Sequence, residues 1–168
     1  MTNNKTIPKK RIEQLYQNID TWKNQRIAFE LPHVLTNPSD CKNSHSHISI
    51  LFSEKSKKNI SPLIIGYNYC KAGKDGSIHA EMDTLDKARR APHIGRTKYS
   101  LFVMRTNIMN SRPCKHCIEQ ISISYSIRIK YVYYTMDKSF IRESISDLID
   151  TCKSAIVHIS KYYRHKKN

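Results

Sequence analysis

The sequence predicts an α/β layered domain with a mixed sheet, on two observations. Stretches of helical period alternate with short β-branched runs along the 168 residues, in the order helix, two strands, helix, strand, helix, strand, helix. The run from Tyr99 to Met104 is apolar almost throughout, as a strand covered on both faces would be. The length suits one compact domain with a real core. Hydrophobic residues, at 39%, are too few for a second independent core.

Each element has its own warrant. Ile12, Leu15, Tyr16, Ile19, Trp22 and Ile27 fall at helical spacing between Ile12 and Phe29, and Pro8 stands just ahead, where proline starts helices. Trp22 reads as the core anchor of that helix. Pro32 and Pro38 then bracket a loop containing His33, Asn37 and Asp40. His47 to Phe52 and Pro62 to Asn68 read as strands, joined as a hairpin by the basic link from Glu54 to Ser61. Cys70 to Ser77, with Gly73 and Gly76, reads as a loop. A helix with Met82, Leu85 and Ala88 on one face follows and ends before Pro92.

Beyond the Tyr99–Met104 strand, Pro113 opens another helical stretch. Its second half, Ile118 to Tyr125, has poor helix propensity, and it is kept as a helix because two cysteines three apart need one to share a face. Ile127 to Tyr134 is a further strand. Phe140, Ile141, Ile145, Leu148, Ile149 and Cys152 recur at helical spacing, with Ser139 as N-cap. Ser154 to Ser160 fits more helix or a short strand equally well.

Composition narrows the function. No apolar run approaches the ~20 residues that span a bilayer, and the first residues lack the apolar stretch of a signal peptide. A soluble, non-secreted protein without a membrane partner is expected. Five cysteines are an odd count for a disulfide framework, so free thiols in a cytoplasmic or other reducing intracellular compartment fit better. Cys41, Cys70 and Cys152 have no neighbour at ligand spacing and read as small buried hydrophobes. The net charge of +15 suggests a nucleic-acid or phosphate partner. A chain rich in Ile, Lys and Asn and poor in Gly and Ala also has the bias of AT-rich codons, which explains part of that charge without function.

The residues that carry chemistry are His79-Ala80-Glu81 and Pro113-Cys114-Lys115-His116-Cys117. Cysteines at i and i+3 of a helix share a face and can grip one ion. Near a helix N-terminus the positive end of the dipole favours the thiolate. Two thiolates and an imidazole give zinc three protein ligands and leave the fourth position open, the pattern of a catalytic site. A structural zinc wants a fourth ligand; His45 and His47 are the candidates, and both read more simply as polar strand positions. His116 must face away. His79 and Glu81, two apart, flank one ion only if they sit at a helix start, where the backbone is still turning. Glu81 then lies beside the metal's water without being a ligand. The alternative for Glu81 is a favourable first-turn acid.

His-Ala-Glu followed thirty-five positions later by Pro-Cys-x-x-Cys resembles the zinc site of the cytidine deaminase-like superfamily. The strand and helix order from about Ile48 to Thr135 is similar too. The resemblance implies a three-layer sandwich with a mixed, mainly five-stranded sheet. It also implies one deaminase-like domain over 1–168, with an N-terminal helix and loop at 1–40, a zinc-site core at 45–136, and a C-terminal helix and basic tail at 139–168. The implied activity is hydrolytic deamination with Zn2+ on His79, Cys114 and Cys117, and with Glu81 moving the protons. The implied substrate contacts are the N–H of Ala80, the carbonyl of Arg112, and Asn68.

A histidine as first ligand resembles the deoxycytidylate, guanine and tRNA-editing branches. The expected substrate is therefore a CMP- or dCMP-like nucleotide or nucleoside. Arg112 and Lys115 read as phosphate contacts or as a solvated basic rim. Two other readings stand beside this one. A deaminase could act on a base within RNA or single-stranded DNA, for which the tail Tyr162-Tyr163-Arg164-His165-Lys166-Lys167 has suitable residues. The other is a catalytically silent, zinc-containing nucleic-acid-binding protein, which has no chemical need for Glu81. Similar enzymes assemble as dimers or larger, so a homo-oligomer is the expectation by analogy.

Overall fold

The computed structural model describes residues 7–36, 47–53, 62–70, 77–95, 97–105, 110–137 and 139–152. Helix α1 (Lys9–Thr36) is followed by β1 (His47–Ser53), β2 (Ile64–Tyr67) and a short ladder of β3 (Tyr69–Cys70) with β4 (Ser77–Ile78). Then come α2 (Ala80–Arg90), β5 (Lys98–Arg105), α3 (Lys115–Ser122), β6 (Arg128–Met136) and β7 (Ser139–Ser144). A last helix, α4, occupies residues 145–152.

Five strands form one mixed sheet in the order β2-β1-β5-β6-β7. The β5–β6 pair is parallel and every other neighbouring pair is antiparallel. Strand alternation sends side chains to opposite faces and so builds two cores. On one face Ile48, Ile50 and Phe52 of β1, with Phe102 and Met104 of β5, pack against Leu15, Ile19 and Trp22 of α1. On the other, Leu101, Val103, Val132 and Tyr134 pack against Leu85 and Ala88 of α2, Ile118 and Ile121 of α3, and Leu148 of α4. The result is helix, sheet, helix: the predicted α/β three-layer sandwich with a five-stranded mixed sheet. Leu51, Leu101, Phe102 and Val103 have no solvent exposure, as the near-continuous apolar runs require.

Several boundaries differ from the sequence reading. Helix α1 continues past Phe29 and through Pro32 to Thr36; Pro32 lacks one N–H, and the remaining backbone bonds carry the turn. Tyr69 and Cys70 pair with Ile78 and Ser77, so the segment read as a loop is closed by a two-rung ladder. Helix α3 stops at Ser122, short of Tyr125, and the Ser122 hydroxyl donates to the Glu119 carbonyl at 2.7 Å, competing with the backbone as serine does.

The largest correction is at 139–144, which is a strand and not the start of a helix. Asp137, with φ 48°, makes the turn that folds β7 back on β6, in register Met136↔Ser139 and Thr135↔Phe140. Phe140 then stacks on the α1 face, its ring 4.7 Å from Tyr16 and 5.6 Å from Phe102. The N-cap of α4 is Ser144, whose Oγ accepts from the Asp147 N–H at 3.2 Å, and not Ser139. The basic link 54–61, Gly73, Gly76, residues 37–46 and the tail from 153 lie outside the described residues. Among the described residues, no helix is long and apolar enough to cross a membrane.

Candidate active site

Two helices begin at the same place. His79 is the N-cap of α2, with extended backbone (φ −77°, ψ 149°), and its carbonyl accepts from the N–H groups of Met82 and Asp83. Cys114 is the N-cap of α3, again extended (φ −71°, ψ 163°). Neither side chain caps its own helix, so imidazole and thiol are both available to a ligand. Pro113 therefore precedes the cap instead of occupying the first helical turn. Extended backbone at Cys114 turns the chain before the helix starts, and Cys117 follows in the first turn of α3.

His79 Nδ1 lies 3.5 Å from Cys114 Sγ and 3.3 Å from Cys117 Sγ. All three ligand atoms lie within 4.8 Å of one another. Zn–S bonds near 2.3 Å and Zn–N bonds near 2.0 Å at a tetrahedral angle put N and S about 3.5 Å apart. The separations fit one tetrahedral ion, and a soft imidazole-dithiolate set is what zinc takes. Cys117 is buried, while His79 and Cys114 keep the cluster open to solvent. His116 is exposed on α3 and takes no part, and His47 opens β1, where its Nε2 accepts from Arg105 at 3.0 Å. His45 lies outside the described residues.

Electrostatics favour an anionic sulfur. A hydrogen bond from Cys117 holds the Cys114 thiol down at about 5, against burial and with help from the His79 charge. Cys117 itself is pushed up, by that hydrogen bond, by burial and by Glu81. Glu81 is the second residue of α2, only 4% exposed, and shares a hydrogen bond with Cys117. Burial pushes its carboxyl up, opposed by its own backbone N–H and by His79. A carboxyl beside the cluster, shielded from bulk water and easily protonated, is suited to carry protons.

The remaining predicted residues are placed as follows. Ala80 is fully buried as the first residue of α2, where a backbone N–H has no intrahelical acceptor. Asn68 precedes Tyr69 and His79 follows Ile78, so the Tyr69↔Ile78 rung brings both to the same end of the β3–β4 ladder. Asn68 Oδ1 accepts from the His47 N–H at 2.6 Å. The Arg112 carbonyl leads into Pro113, but its side chain turns elsewhere: Nε is 3.6 Å from Glu143 Oε2, which also accepts from Tyr134 at 2.7 Å. Lys115 is exposed and 3.6 Å from Glu119.

Three positioning residues escaped the sequence reading. A Cβ on Gly66 would meet Thr84 Oγ1 at 2.3 Å, Thr84 N at 2.5 Å and the Ala80 carbonyl at 2.6 Å, so only glycine lets the first turn of α2 rest on β2. A glycine inside a strand pattern is the signal that marks such a contact. Thr84 Oγ1 donates to the Ser49 carbonyl at 3.0 Å and ties α2 to β1. Ser111 is buried; its Oγ donates to the Val103 carbonyl at 2.8 Å and accepts from the Thr135 N–H at 2.9 Å, pinning the loop before Cys114 to the C-terminal ends of β5 and β6.

A family model described as "Cytidine and deoxycytidylate deaminase zinc-binding region" matches residues 42–136, more than half of the chain. Among solved structures, the crystal structure of cytidine deaminase from Mycobacterium leprae is similar at 16% identity, over 79% of this chain and 97% of that one, with a TM-score of 0.46. No curated protein matches the chain.

Proposed function

The chain belongs to the cytidine and deoxycytidylate deaminase zinc-binding region family, and from that premise we propose that it hydrolyses the amino group of a CMP- or dCMP-like nucleotide or nucleoside, giving the uracil form and ammonia. The observation that carries the reading is the convergence of His79 Nδ1 on the Cys114 and Cys117 sulfurs, with buried Glu81 against them. These three ligands would hold zinc, which makes hydroxide available near neutral pH by lowering the pKa of water from 15.7 to about 7.

The chain's own groups do the rest. Glu81 takes a proton from water and gives it to the ring nitrogen next to the amino-bearing carbon. Once hydroxide has added to that carbon, Glu81 takes the proton of the new hydroxyl and delivers it to the amino group, so that the C–N bond breaks, ammonia leaves and the oxygen becomes the carbonyl of the uracil form. The Ala80 N–H donates to the base carbonyl, the Arg112 carbonyl accepts from the amino group, and the Asn68 NH2 donates to the sugar. The α1 layer and α4 complete the same single unit. A reducing compartment would keep Cys114 and Cys117 available as thiolates.

The test is a panel of cytidine, CMP, dCMP, guanine and a cytosine-bearing oligonucleotide, incubated with zinc-loaded protein while ammonia and product are followed. Turnover of CMP or dCMP without turnover of the oligonucleotide supports the reading. Turnover of the oligonucleotide alone replaces it with base deamination within a strand, and salt-sensitive binding without any turnover replaces it with a binding protein.

A further inference from the structure

At the far end of the sheet from the His79 cluster, the first residues of β5 and β6 open a cleft of about 550 Å³, within the size range of small-ligand sites. Its lining includes Lys98, Arg128 and Lys130 and no carboxylate. Lys98 and Arg128 are direct register partners on adjacent parallel strands, so two cations leave the sheet side by side. Like charges directly opposite each other on neighbouring strands are destabilising, and among the described residues neither has an acidic partner. Lys130 is the extra residue of a β-bulge: Tyr99 pairs with Ile129 and Ser100 with Tyr131, leaving Lys130 out of the ladder. Its Nζ is held 4.7 Å above the Tyr131 ring. Bulges recur where a strand re-aims a side chain toward a site.

Two further features point to the kind of ligand. Tyr125, which also lines the cleft, is 94% exposed, a flat aromatic face offered to solvent beside three cations. The Ser124 hydroxyl on the same wall is buried and has no protein hydrogen-bond partner, a state that buried polar groups seldom keep. Cations that accept phosphate oxygens, an aromatic surface that stacks a planar ring, and a spare hydroxyl form a complementary set. We propose that this cleft binds a nucleotide unit, its phosphate held by Lys98, Arg128 and Lys130 and its base stacked on Tyr125. The unit is either a free mononucleotide or one residue of a single strand. The proposal does not rest on the deaminase reading, because the cleft shares no residue with that site.

The probes are an oligodeoxythymidylate labelled for anisotropy, dTMP and inorganic phosphate; none carries an amino group for a deaminase to remove. Titration of the full chain is compared with Lys98→Glu/Arg128→Glu, with Tyr125→Ala, and with Lys9→Glu/Lys10→Glu, an equal charge change on exposed α1. The expected result is a loss of at least tenfold (about 1.4 kcal/mol) for the cleft reversal, several-fold for Tyr125→Ala, and little change for the α1 reversal, with all melting temperatures kept. Binding of dTMP comparable to the oligonucleotide assigns a mononucleotide, and binding of the oligonucleotide alone assigns a strand; both support the proposal. It is overturned if no probe binds, if the two reversals weaken binding equally, or if phosphate binds as tightly as dTMP and Tyr125→Ala changes nothing.

Discussion

Gly66 on β2 lies so close to Thr84 on α2 that a methyl group at position 66 would stand 2.3 Å from the Thr84 hydroxyl oxygen. Two of the three nearest atoms are backbone and cannot swing aside. Gly66→Ala should therefore push the first turn of α2 off the sheet, with His79 and Glu81 on it. The expected cost is about 1–3 kcal/mol of stability, as for overpacking elsewhere, with weakened zinc retention. Thermal melting and metal analysis of the purified variant check both; an unchanged metal content would show that the turn has room to adjust.

Glu81→Gln keeps the shape of the side chain and removes its ability to take up and release a proton. Ammonia release should fall by about 10²–10⁴-fold, the usual contribution of a positioned acid–base group, while bound zinc stays at the wild-type level. Steady-state rates beside atomic absorption separate the two effects.

Cys114→Ala and Cys117→Ala each leave two ligands, too few for a stable zinc site. Metal content should drop well below one ion per chain and activity with it. Chelation of the wild-type protein should have the same effect on activity and lower the melting temperature, and restored zinc should reverse both.

Ser111→Ala strips a buried hydroxyl from the Val103 carbonyl and the Thr135 N–H. Leaving such groups unsatisfied costs about 1–3 kcal/mol. The loop into Cys114 loses its anchor, so denaturant midpoint and zinc affinity should fall together, whereas Ser111→Thr should recover part of each.

Tyr134 is held up to about 12 from the ordinary 10, first by burial and then by the hydrogen bond and charge of Glu143, with Arg112 opposing. The neutral phenol is the form the fold prefers. This contribution is complete below pH 10 and is lost as pH rises through 12, so stability should decline across that window. Absorbance titration at high pH should include a tyrosine step later than the ordinary one. Glu143→Gln should bring that tyrosine down, and Tyr134→Phe should remove the late step.

The metal cluster could be read from residue types alone because ligand chemistry restricts them: His79, Cys114 and Cys117 have few other reasons to recur in that order. The sheet interior was readable for a similar reason, since Leu101 to Met104 have no polar face to show. The strand at 139–144 was hidden because Phe140 and Ile141 continue the helical spacing of Ile145, Leu148 and Ile149. The turn before it is made by Asp137 with positive φ, and not by an Asn-Gly pair. Ser111 and Thr84 look like ordinary hydroxyl residues until the elements they join are known to be neighbours. The partner of the Arg112 side chain was hidden for the same reason, since Glu143, 3.6 Å away, stands on β7, the strand that the helical spacing concealed.

The arrangement of the sheet also bears on how such a protein can diversify. The β5–β6 pair alone is parallel, so the chain between these two neighbours must cross over, and α3, with Cys114 at its cap and Cys117 in its first turn, rides on that connection. β1 ends at Ser53, at the end of the sheet away from Arg105, whereas the Asp137 turn between β6 and β7 lies at the Cys114 end, where Thr135 bonds Ser111. Lineages can lengthen the connection between Ser53 and Ile64 while keeping the chemistry intact, whereas insertions between Arg105 and Cys114, or at the Asp137 turn, would disturb a ligand. Length changes should accumulate at the first of these connections and leave the other two close to invariant.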